Sequence, residues 1–427
     1  MGKINILWVD DEIALLKPHF MFLEERGYTI ATASNGNDAL TMIQENTFDL
    51  VFLDENMPGL SGLETLGSIK NSKPNLPVIM VTKSEEENLM DEAIGAKISD
   101  YLIKPVNPKQ VLLTIKKHID TGRLVRETIT SGYQQEFGNI GMTINENLDY
   151  LEWAEVYKKL SYWEIELGVA SDPGMDDVLK MQKTEANRLF CRYVQANYTR
   201  WLNPDNNDAP LMSHNLFKNK ALPILEDANT VLFFVLVDNL RYDQWKAIQG
   251  PISEYYRVVE DDLYYSILPT TTQFSRNAIF SGLMPSEIEK KFPDLWVGDT
   301  VKGGKNMHEE VFLQEQLFKH GKDIRFSYTK ITNLQNGKKM VEHIQNMMNN
   351  QLNVIVYNLV DMLSYARTEM QVLKELAGNE VAYRSLTQTG YNHSPAFNGL
   401  KRIADLGNSK GKKYKLLITT DHAPILI

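Results

Sequence analysis

Four short apolar runs in the first 120 residues each end in polar side chains. The runs and the residues after them are Ile6–Val9 before Asp10 and Asp11, Val51–Leu53 before Asp54, Val78–Val81 before Thr82, and Tyr101–Ile103 before Lys104. Uninterrupted apolar runs of this length are typical of strands that are buried on both faces of a parallel sheet. Ligands of such sheets bind outside the carboxyl ends of the strands, so we expect these polar residues to share one site.

An acidic pair, an aspartate, a hydroxyl and a lysine at neighbouring strand ends predict a phosphoryl-acceptor site. Asp54 is the residue that we expect to be phosphorylated, with Lys104 pairing with the acyl phosphate and Thr82 donating its hydroxyl. The incoming charge requires a cation, and Mg²⁺ is usually held by one or two carboxylates. The expected magnesium ligands are Asp11 and Asp54 directly, Asp10 through water and Asn56 through its backbone carbonyl. Each element alone also fits ordinary surface chemistry, but the four in order favour the site.

These motifs, together with the Met57-Pro58-Gly59 turn and Lys104-Pro105, make residues 1–120 resemble a two-component receiver domain. The resemblance implies a flavodoxin-like fold and phosphorylation of Asp54 by a sensor histidine kinase. It also implies a switch in which Thr82 moves toward the phosphoryl group while Tyr101 turns inward.

From 121 to 215 the pattern changes to helical spacing and predicts a three-helix bundle linker. The three apolar faces are Val125, Ile129, Tyr133, Phe137 and Ile140; Trp153, Tyr157, Leu160, Trp163 and Leu167; and Ala186, Phe190, Val194, Asn197 and Trp201. Aromatic faces of this kind could form a partner surface, but they are more often core, and we favour the core.

From 216 to 427 polar residues again follow apolar runs. The runs are Val231–Val237 before Asp238, Val354–Val360 before Asp361, and Leu416–Thr420 before Asp421 and His422. Three buried strands with these endings predict one metal site at one edge of a parallel sheet. Since isolated charges are costly to bury there, a bound cation is expected.

A proline and threonine cluster, Pro269 to Thr272, predicts a turn that begins a helix, whose N-terminus attracts anions. A threonine there that is ligated to zinc could lose its proton and attack phosphorus. Arg276 could bind a phosphate oxygen. Taken alone, the threonine run is better explained as a simple helix N-cap.

Together, the motifs Asp238-Asn239-Leu240-Arg241, Pro269 to Thr272, Phe280-Ser281-Gly282, Asp361 and Asp421-His422 resemble the PglZ domain of the alkaline phosphatase superfamily. That resemblance implies zinc held by Asp238, Thr272, Asp421 and His422, with Asp361 at a further metal position. It implies Thr272 as the nucleophile, with Thr271 as second choice, and hydrolysis of a phosphoester. The whole chain resembles the PorX-like response regulators of type IX secretion. This implies nucleotide-type phosphodiester substrates, and a sensor kinase and an extracytoplasmic-function sigma factor as partners.

Two departures from the superfamily pattern bear on the metal site. The superfamily places a histidine four residues after the aspartate, and here Tyr365 follows Asp361. A further histidine is expected well beyond His422, so either a C-terminal portion is missing or one zinc ion is bound rather than two. His393 could supply a ligand, although a surface-loop histidine is the more common case.

Composition restricts the function classes. The net charge of −10, from 45 basic and 55 acidic residues, argues against sequence-specific DNA binding. The single cysteine, Cys191, excludes an internal disulfide, and its helical surroundings favour a buried thiol over a catalytic one. The chain enters a strand directly after Met1, which leaves no room for a signal peptide, and Val231–Val237 is too short to span a bilayer. We therefore expect a cytoplasmic protein without a membrane span.

Two functions from different classes fit these observations. The first is a regulated enzyme, in which phosphorylation of Asp54 promotes homodimerisation and the zinc-bound Thr272 cleaves a phosphodiester. The second is a non-catalytic signalling adaptor that binds a sigma factor or secretion component through a degenerate PglZ domain. Tyr365 and the missing distal histidine support this alternative. A DNA-binding regulator is a third alternative that the acidic charge disfavours.

Overall fold

A computed structural model describes residues 4–74, 76–83, 98–170, 173–203, 208–297, 305–410 and 413–423. Residues 424–427 of the predicted last domain lie outside this set. The chain divides into two compact units. The first runs to Gly132, and the second comprises Tyr133–Val169 and the residues from Pro173 onward.

The first unit contains a five-stranded parallel sheet in the order β2-β1-β3-β4-β5. The strands are β1 Asn5–Val9, β2 Thr29–Ala33, β3 Leu50–Asp54, β4 Val78–Thr82 and β5 Asp100–Ile103. Its described helices are Lys17–Glu24, Gly36–Glu45, Gly62–Ser72 and Pro108–Ile115, with a 3-10 turn at Ile13–Leu16. This strand order is that of flavodoxin-like folds, as the sequence predicts.

The predicted apolar runs form the interior of this sheet. Every residue of β3 and β4 is buried. On one face Trp8 of β1 stacks on Phe52 of β3, with ring centroids 4.4 Å apart. Burying one aromatic side chain of this size contributes about 1.5–3 kcal/mol, so the strands that carry the polar ends are rigidly placed.

Three long helices follow, at Thr121–Thr143, Tyr150–Ala170 and Pro173–Trp201, and they confirm the predicted helical linker. Within the second unit Trp153 packs against Phe190, with ring centroids 5.5 Å apart. The prediction of a buried thiol is wrong, because Cys191 is exposed. A helix turns by 100° per residue, so the position after Phe190 already faces solvent.

The core interpretation of the helical faces holds for most of their members but not for all. Ile129, Tyr133 and Ile140 are buried, whereas Val125 and Phe137 are each 42% exposed. The first helix therefore buries a narrower stripe than its apolar spacing predicts.

The second sheet is parallel, in the order β7-β8-β6-β9. Its strands are β6 Thr230–Val237, β7 Phe326–Ile331, β8 Leu352–Tyr357 and β9 Lys413–Thr419. The surrounding helices are Ser213–Leu216, Tyr242–Ser253, Asn277–Ser281, Pro285–Lys291, Glu309–Lys319, Leu334–Met347, Leu359–Glu369, Gln371–Leu376, Glu380–Asn392 and Pro395–Lys410. All eight residues of β6 are buried, because helices cover both faces of this central strand.

One predicted strand is shorter than its apolar run. β8 ends at Tyr357, and Leu359 and Val360 already belong to the helix Leu359–Glu369. Asp361 therefore lies in the first turn of a helix rather than at a strand end. Apolar residues continue through both elements because both are buried, so hydrophobicity alone does not mark the boundary.

Among the described residues, every helix is too short or too polar to pass through a bilayer.

Candidate functional sites

The first candidate site is a buried ion cluster at the carboxyl edge of the first sheet. Lys104, which follows β5, places its Nζ 2.8 Å from Oδ2 of Asp10 and 2.9 Å from Oδ2 of Asp54. Both aspartates are almost fully buried. The structure thus brings together three of the predicted residues, and one lysine joins two strand ends.

Burial dominates the electrostatics of the acceptor residue. It raises the pKa of Asp54 above its usual value, and the nearby Lys104 only partly opposes this shift. For Lys104, the hydrogen bonds to Asp10 and Asp54 outweigh burial and raise the pKa. The lysine is therefore a fixed positive charge beside the oxygen that would receive the phosphoryl group.

Asp10, Asp11 and Glu12 form a group whose ligand atoms lie within 4.8 Å of one another. Sequence reasoning missed Glu12, whose backbone N–H donates to Oδ1 of Asp10 at 2.8 Å. Asn56 is exposed in the turn after β3. Within this group Asp10 is buried, whereas Asp11 and Glu12 are exposed.

The two expected switch residues differ in exposure. Thr82 is buried at the end of β4, whereas Tyr101 of β5 is 41% exposed. An outward Tyr101 is the starting position that the expected inward turn requires.

Gly62 allows a close approach behind the acceptor. A Cβ at this position would lie 2.5 Å from the carbonyl oxygen of Asp54 and 2.7 Å from Cα of Glu55. Glycine is therefore required where the helix Gly62–Ser72 starts against the end of β3.

The second candidate site lies at the carboxyl edge of the second sheet. Asp238, which follows β6, Asp361 and His422 have ligand atoms within 4.8 Å of one another. Asp238 is buried, and the other two are half-buried. Two carboxylates and an imidazole form a donor set that suits zinc.

Asp421, also predicted as a ligand, lies beside this group and orients it. Its Oδ1 is 3.0 Å from Nδ1 of His422, and its Oδ2 accepts from Nε of Arg276 at 2.9 Å. Although burial opposes it, the charges of Arg276 and His422 hold the pKa of Asp421 well below its usual range. Burial and the neighbouring Asp421 raise the pKa of Asp238 to about 7, against the effect of Arg276.

Asn239 connects the carboxylates. Its Nδ2 donates to Oδ1 of Asp361 and its backbone N–H to Oδ1 of Asp421, both at 3.4 Å. Its φ is 63°, a left-handed conformation that asparagine adopts more readily than most residues. Sequence reasoning gave Asn239 no role beyond its place in the motif.

The predicted threonine turn is present, followed by the helix Asn277–Ser281. Thr272–Arg276 forms a π-helical turn, and the side chain of Thr271 at its N-cap makes no capping hydrogen bond. The N-cap explanation of the threonine run therefore does not hold for Thr271. Thr271 is exposed and Thr272 half-buried.

Arg276 is placed differently from the prediction that it binds a phosphate oxygen. It is fully buried and forms ion pairs with Asp238 and Asp421. The carboxylates attract the guanidinium inward, so its donors are directed at the protein rather than at a substrate.

Two other predicted positions lie outside the group of three ligands. Tyr365 is 63% exposed, one helical turn beyond Asp361. His393 is exposed at the end of the helix Glu380–Asn392, in agreement with the surface-loop interpretation.

Comparison with known families agrees with this architecture. Residues 6–116 match the response regulator receiver domain, and residues 216–426 match the BREX system PglZ alkaline phosphatase-like domain. The chain thus carries a response regulator receiver domain and, further along, an alkaline phosphatase-like domain. Residues 123–202 match the PorX response regulator linker domain, and with the three domains in this order the chain matches a PorX-like response regulator.

Curated relatives share part of the chain. The transcriptional regulatory protein ZraR of Klebsiella oxytoca is 34% identical over 139 residues, which is 33% of this chain and 31% of that protein. The transcriptional regulatory protein ResD of Bacillus subtilis is 38% identical over 115 residues, 27% of this chain and 48% of that protein. The chain thus spans about a third of the first relative and half of the second.

Among solved structures, a CheY-like receiver domain protein from Methanospirillum hungatei is 31% identical to this chain, with a TM-score of 0.27. The match covers 28% of this chain and 95% of the solved chain. Receiver domains bind Mg²⁺ and take a phosphoryl group from a donor such as a sensor kinase, and alkaline phosphatase-like domains are typically metal-dependent.

Proposed function

We propose that phosphorylation of Asp54 controls a zinc-dependent phosphodiesterase in the last domain, which acts on nucleotide-type phosphodiesters. One observation carries the proposal: Asp238, Asp361 and His422 bring their ligand atoms within 4.8 Å of one another. They do so at one sheet edge of a domain that matches an alkaline phosphatase-like family.

Zinc fits these residues. Oδ1 of Asp238 is buried and has no hydrogen-bond partner among the described residues, so it is available to a cation. Burial of such an atom is costly unless it is paired. Bound there, zinc supplies the Lewis acidity that stabilises negative charge on a phosphoryl group.

The residues of the chain then have distinct roles. The Thr272 oxygen forms a bond to phosphorus while the bond from phosphorus to the ester oxygen breaks. The threonine proton passes to water, and the leaving oxygen takes a proton from water. A second water cleaves the phosphothreonine and restores the hydroxyl. Asp421 orients His422 through the 3.0 Å hydrogen bond, and Thr271 is the alternative nucleophile.

Control comes from the receiver. Asp54 accepts a phosphoryl group from the phosphohistidine of a sensor kinase. A bond forms between the Asp54 carboxylate oxygen and phosphorus, and the bond between phosphorus and the imidazole nitrogen of the kinase breaks. Asp11, Asp54 and the Asn56 carbonyl would hold Mg²⁺, with Asp10 acting through water, and Lys104 would pair with the new phosphoryl oxygens. Movement of Thr82 and inward rotation of Tyr101 then favour a homodimer.

We place this activity in the cytoplasm, in the regulation of type IX secretion, with an extracytoplasmic-function sigma factor as a partner. The match of residues 123–202 to the PorX response regulator linker domain supports this assignment.

Metal analysis and hydrolysis assays test the proposal. The purified full chain should contain zinc and hydrolyse bis(p-nitrophenyl) phosphate, and treatment with acetyl phosphate should change its turnover. Thr272→Val should lose about 10³-fold or more in kcat, since the nucleophile is removed. Thr271→Val, the matched change at the adjacent threonine, should retain most of the wild-type kcat. A zinc-free, inactive wild-type chain would refute the proposal, and equal turnover of Thr272→Val and wild type would remove Thr272 from it.

A non-catalytic adaptor is the second candidate, and one observation favours it. Arg276 already pairs with Asp238 and Asp421, so these carboxylates are partly neutralised without a metal. An adaptor would bind a sigma factor or secretion component with no zinc in the purified protein, so the same metal analysis separates the two functions.

A further inference from the structure

A chain of polar residues that belongs to none of the sequence motifs lies behind the threonine turn. Nδ2 of Asn306 donates to the backbone carbonyl of Thr272 at 3.1 Å. Nζ of Lys330 donates to the backbone carbonyl of Asn306 at 2.9 Å and to Oε1 of Glu309 at 3.0 Å. Oε1 of Glu309 lies 3.9 Å from Nη1 of Arg276, which is in the same turn as Thr272.

The ion pair at the centre of this chain fixes a loop. Glu309 is buried in the first turn of the helix Glu309–Lys319, and Lys330 comes from β7. A buried carboxylate is costly unless charges and hydrogen bonds compensate it, so Lys330 and Arg276 hold Glu309 in place. Lys330 in turn fixes the backbone at Asn306, three residues before that helix.

The turn Thr272–Arg276 is consequently held at both ends. At one end Arg276 pairs with Asp238 and Asp421 of the metal-site edge. At the other end the Asn306 amide holds the carbonyl of Thr272. Fixing the backbone of a residue restricts where its hydroxyl points, because the allowed side-chain rotamers depend on the backbone angles.

We propose that Asn306 is a positioning residue that holds the nucleophilic Thr272 in register with the carboxylates of the candidate zinc site. Lys330 and Glu309 keep Asn306 in place. The inference rests on the proposed function, because it concerns the orientation of the residue that attacks phosphorus. Small displacements of a reacting group cost up to about 10²-fold in rate, even when substrate binding is unchanged.

Asn306→Asp is the decisive variant in the full chain. The change keeps the shape of the side chain but replaces the donating amide by an acceptor that repels the Thr272 carbonyl. The backbone carbonyl that Lys330 binds remains. With bis(p-nitrophenyl) phosphate as probe, we expect kcat to fall about 10- to 100-fold, with KM and zinc content unchanged. Asn306→Gln, which keeps an amide donor, should recover part of the lost kcat.

Asn398→Asp introduces the same charge at an exposed position of the same domain and should retain wild-type kcat. Lys330→Met provides an independent route, since it removes the ammonium that binds the Asn306 carbonyl, and it should also lower kcat.

Wild-type kcat in Asn306→Asp, with the wild-type chain active, would overturn the positioning role and leave the proposed function intact. Equal loss in Asn306→Asp and Asn306→Gln, or loss of zinc in both, would also overturn it, because the effect would then be structural. If the wild-type chain neither binds zinc nor hydrolyses the probe, the proposed function fails, and the positioning role fails with it.

Discussion

Asp243 is a buried carboxylate that pairs with two arginines, and its charge can be removed with little change of shape. Nε and Nη2 of Arg241 donate to its two oxygens at 2.9 and 2.7 Å. Nη1 of Arg384 donates to Oδ2 at 3.1 Å, while Nη2 of the same arginine donates to the carbonyl of Glu164 in the helix Tyr150–Ala170 at 3.2 Å. The network therefore ties a linker helix to the domain that carries the candidate zinc site.

The substitution Asp243→Asn leaves two buried guanidinium groups with less compensation. Arg241 retains Glu380, whose Oε2 lies 2.6 Å from its Nη1. Arg384 retains the Glu164 carboxylate, which is 3.9 Å away. Breaking a buried ion pair by removing one partner costs about 3–5 kcal/mol. We expect about 3 kcal/mol, the lower end, because both arginines keep an acidic neighbour.

Urea unfolding of both proteins, followed by tryptophan fluorescence, measures this loss. For a slope of about 3 kcal/mol per molar urea, the midpoint of the second unit should fall by about 1 M. The hydrogen bonds and charges of Arg241 and Arg384 lower the pKa of Asp243, against the effect of burial. A carboxyl whose pKa is lowered by folding stabilises the protein above its unfolded pKa of about 3.9 and loses this contribution as the pH falls through the folded value. The difference between the proteins should be complete at pH 7 and shrink below about pH 4.

Asp294→Asn is the matched control, because Asp294 is exposed. Its unfolding free energy should change by less than about 0.5 kcal/mol. A loss below about 1 kcal/mol in Asp243→Asn, or a difference that persists unchanged at pH 3, would refute this account of the network.

Three further predictions concern the two sheets. Gly62→Ala would place a Cβ 2.5 Å from the Asp54 carbonyl oxygen. The thermal midpoint of the variant should therefore fall, and its phosphorylation by acetyl phosphate should slow. Wild-type values for both would contradict the steric argument. Phe234→Ala removes a buried ring from β6 and should lower the free energy of unfolding, measured in urea, by about 3–5 kcal/mol. A change of less than about 1 kcal/mol would contradict the packing described. Asp54→Asn should abolish magnesium-dependent phosphate incorporation by acetyl phosphate, and retained incorporation would show a different acceptor.

Much of the fold could be predicted because the central strands of both sheets are buried on both faces, whereas the partly exposed edge strands β2 and β7 carry no such run. Continuous apolar runs then mark the strands, and the polar residue after each run marks the site edge, as at Asp54 and Asp238. At Asp361 the run marked the site edge but not the end of the strand, because the apolar run continues from β8 into a helix. Hydrophobicity reports burial, and there both elements are buried.

The pairing of charges could not be predicted. The partners of Arg276 lie 38 and 145 residues away in sequence, and only the folded sheet brings Asp238 and Asp421 to it. Glu309, Lys330 and Asn306 belong to no motif, since their contacts depend on where a loop passes behind the threonine turn. Cys191 was misassigned because one position along a helix separates the covered face from solvent.

Position 239 must satisfy a backbone condition and a side-chain condition at once. With φ at 63°, the main chain accepts glycine, asparagine or aspartate with little strain, whereas larger or β-branched side chains would be strained. The contact with Asp361 needs an N–H donor on a short side chain. Glycine has no side chain to donate, and an aspartate carboxylate would repel the Asp361 carboxylate. Asparagine meets both conditions, so the geometry of the loop favours this residue beside a candidate metal ligand.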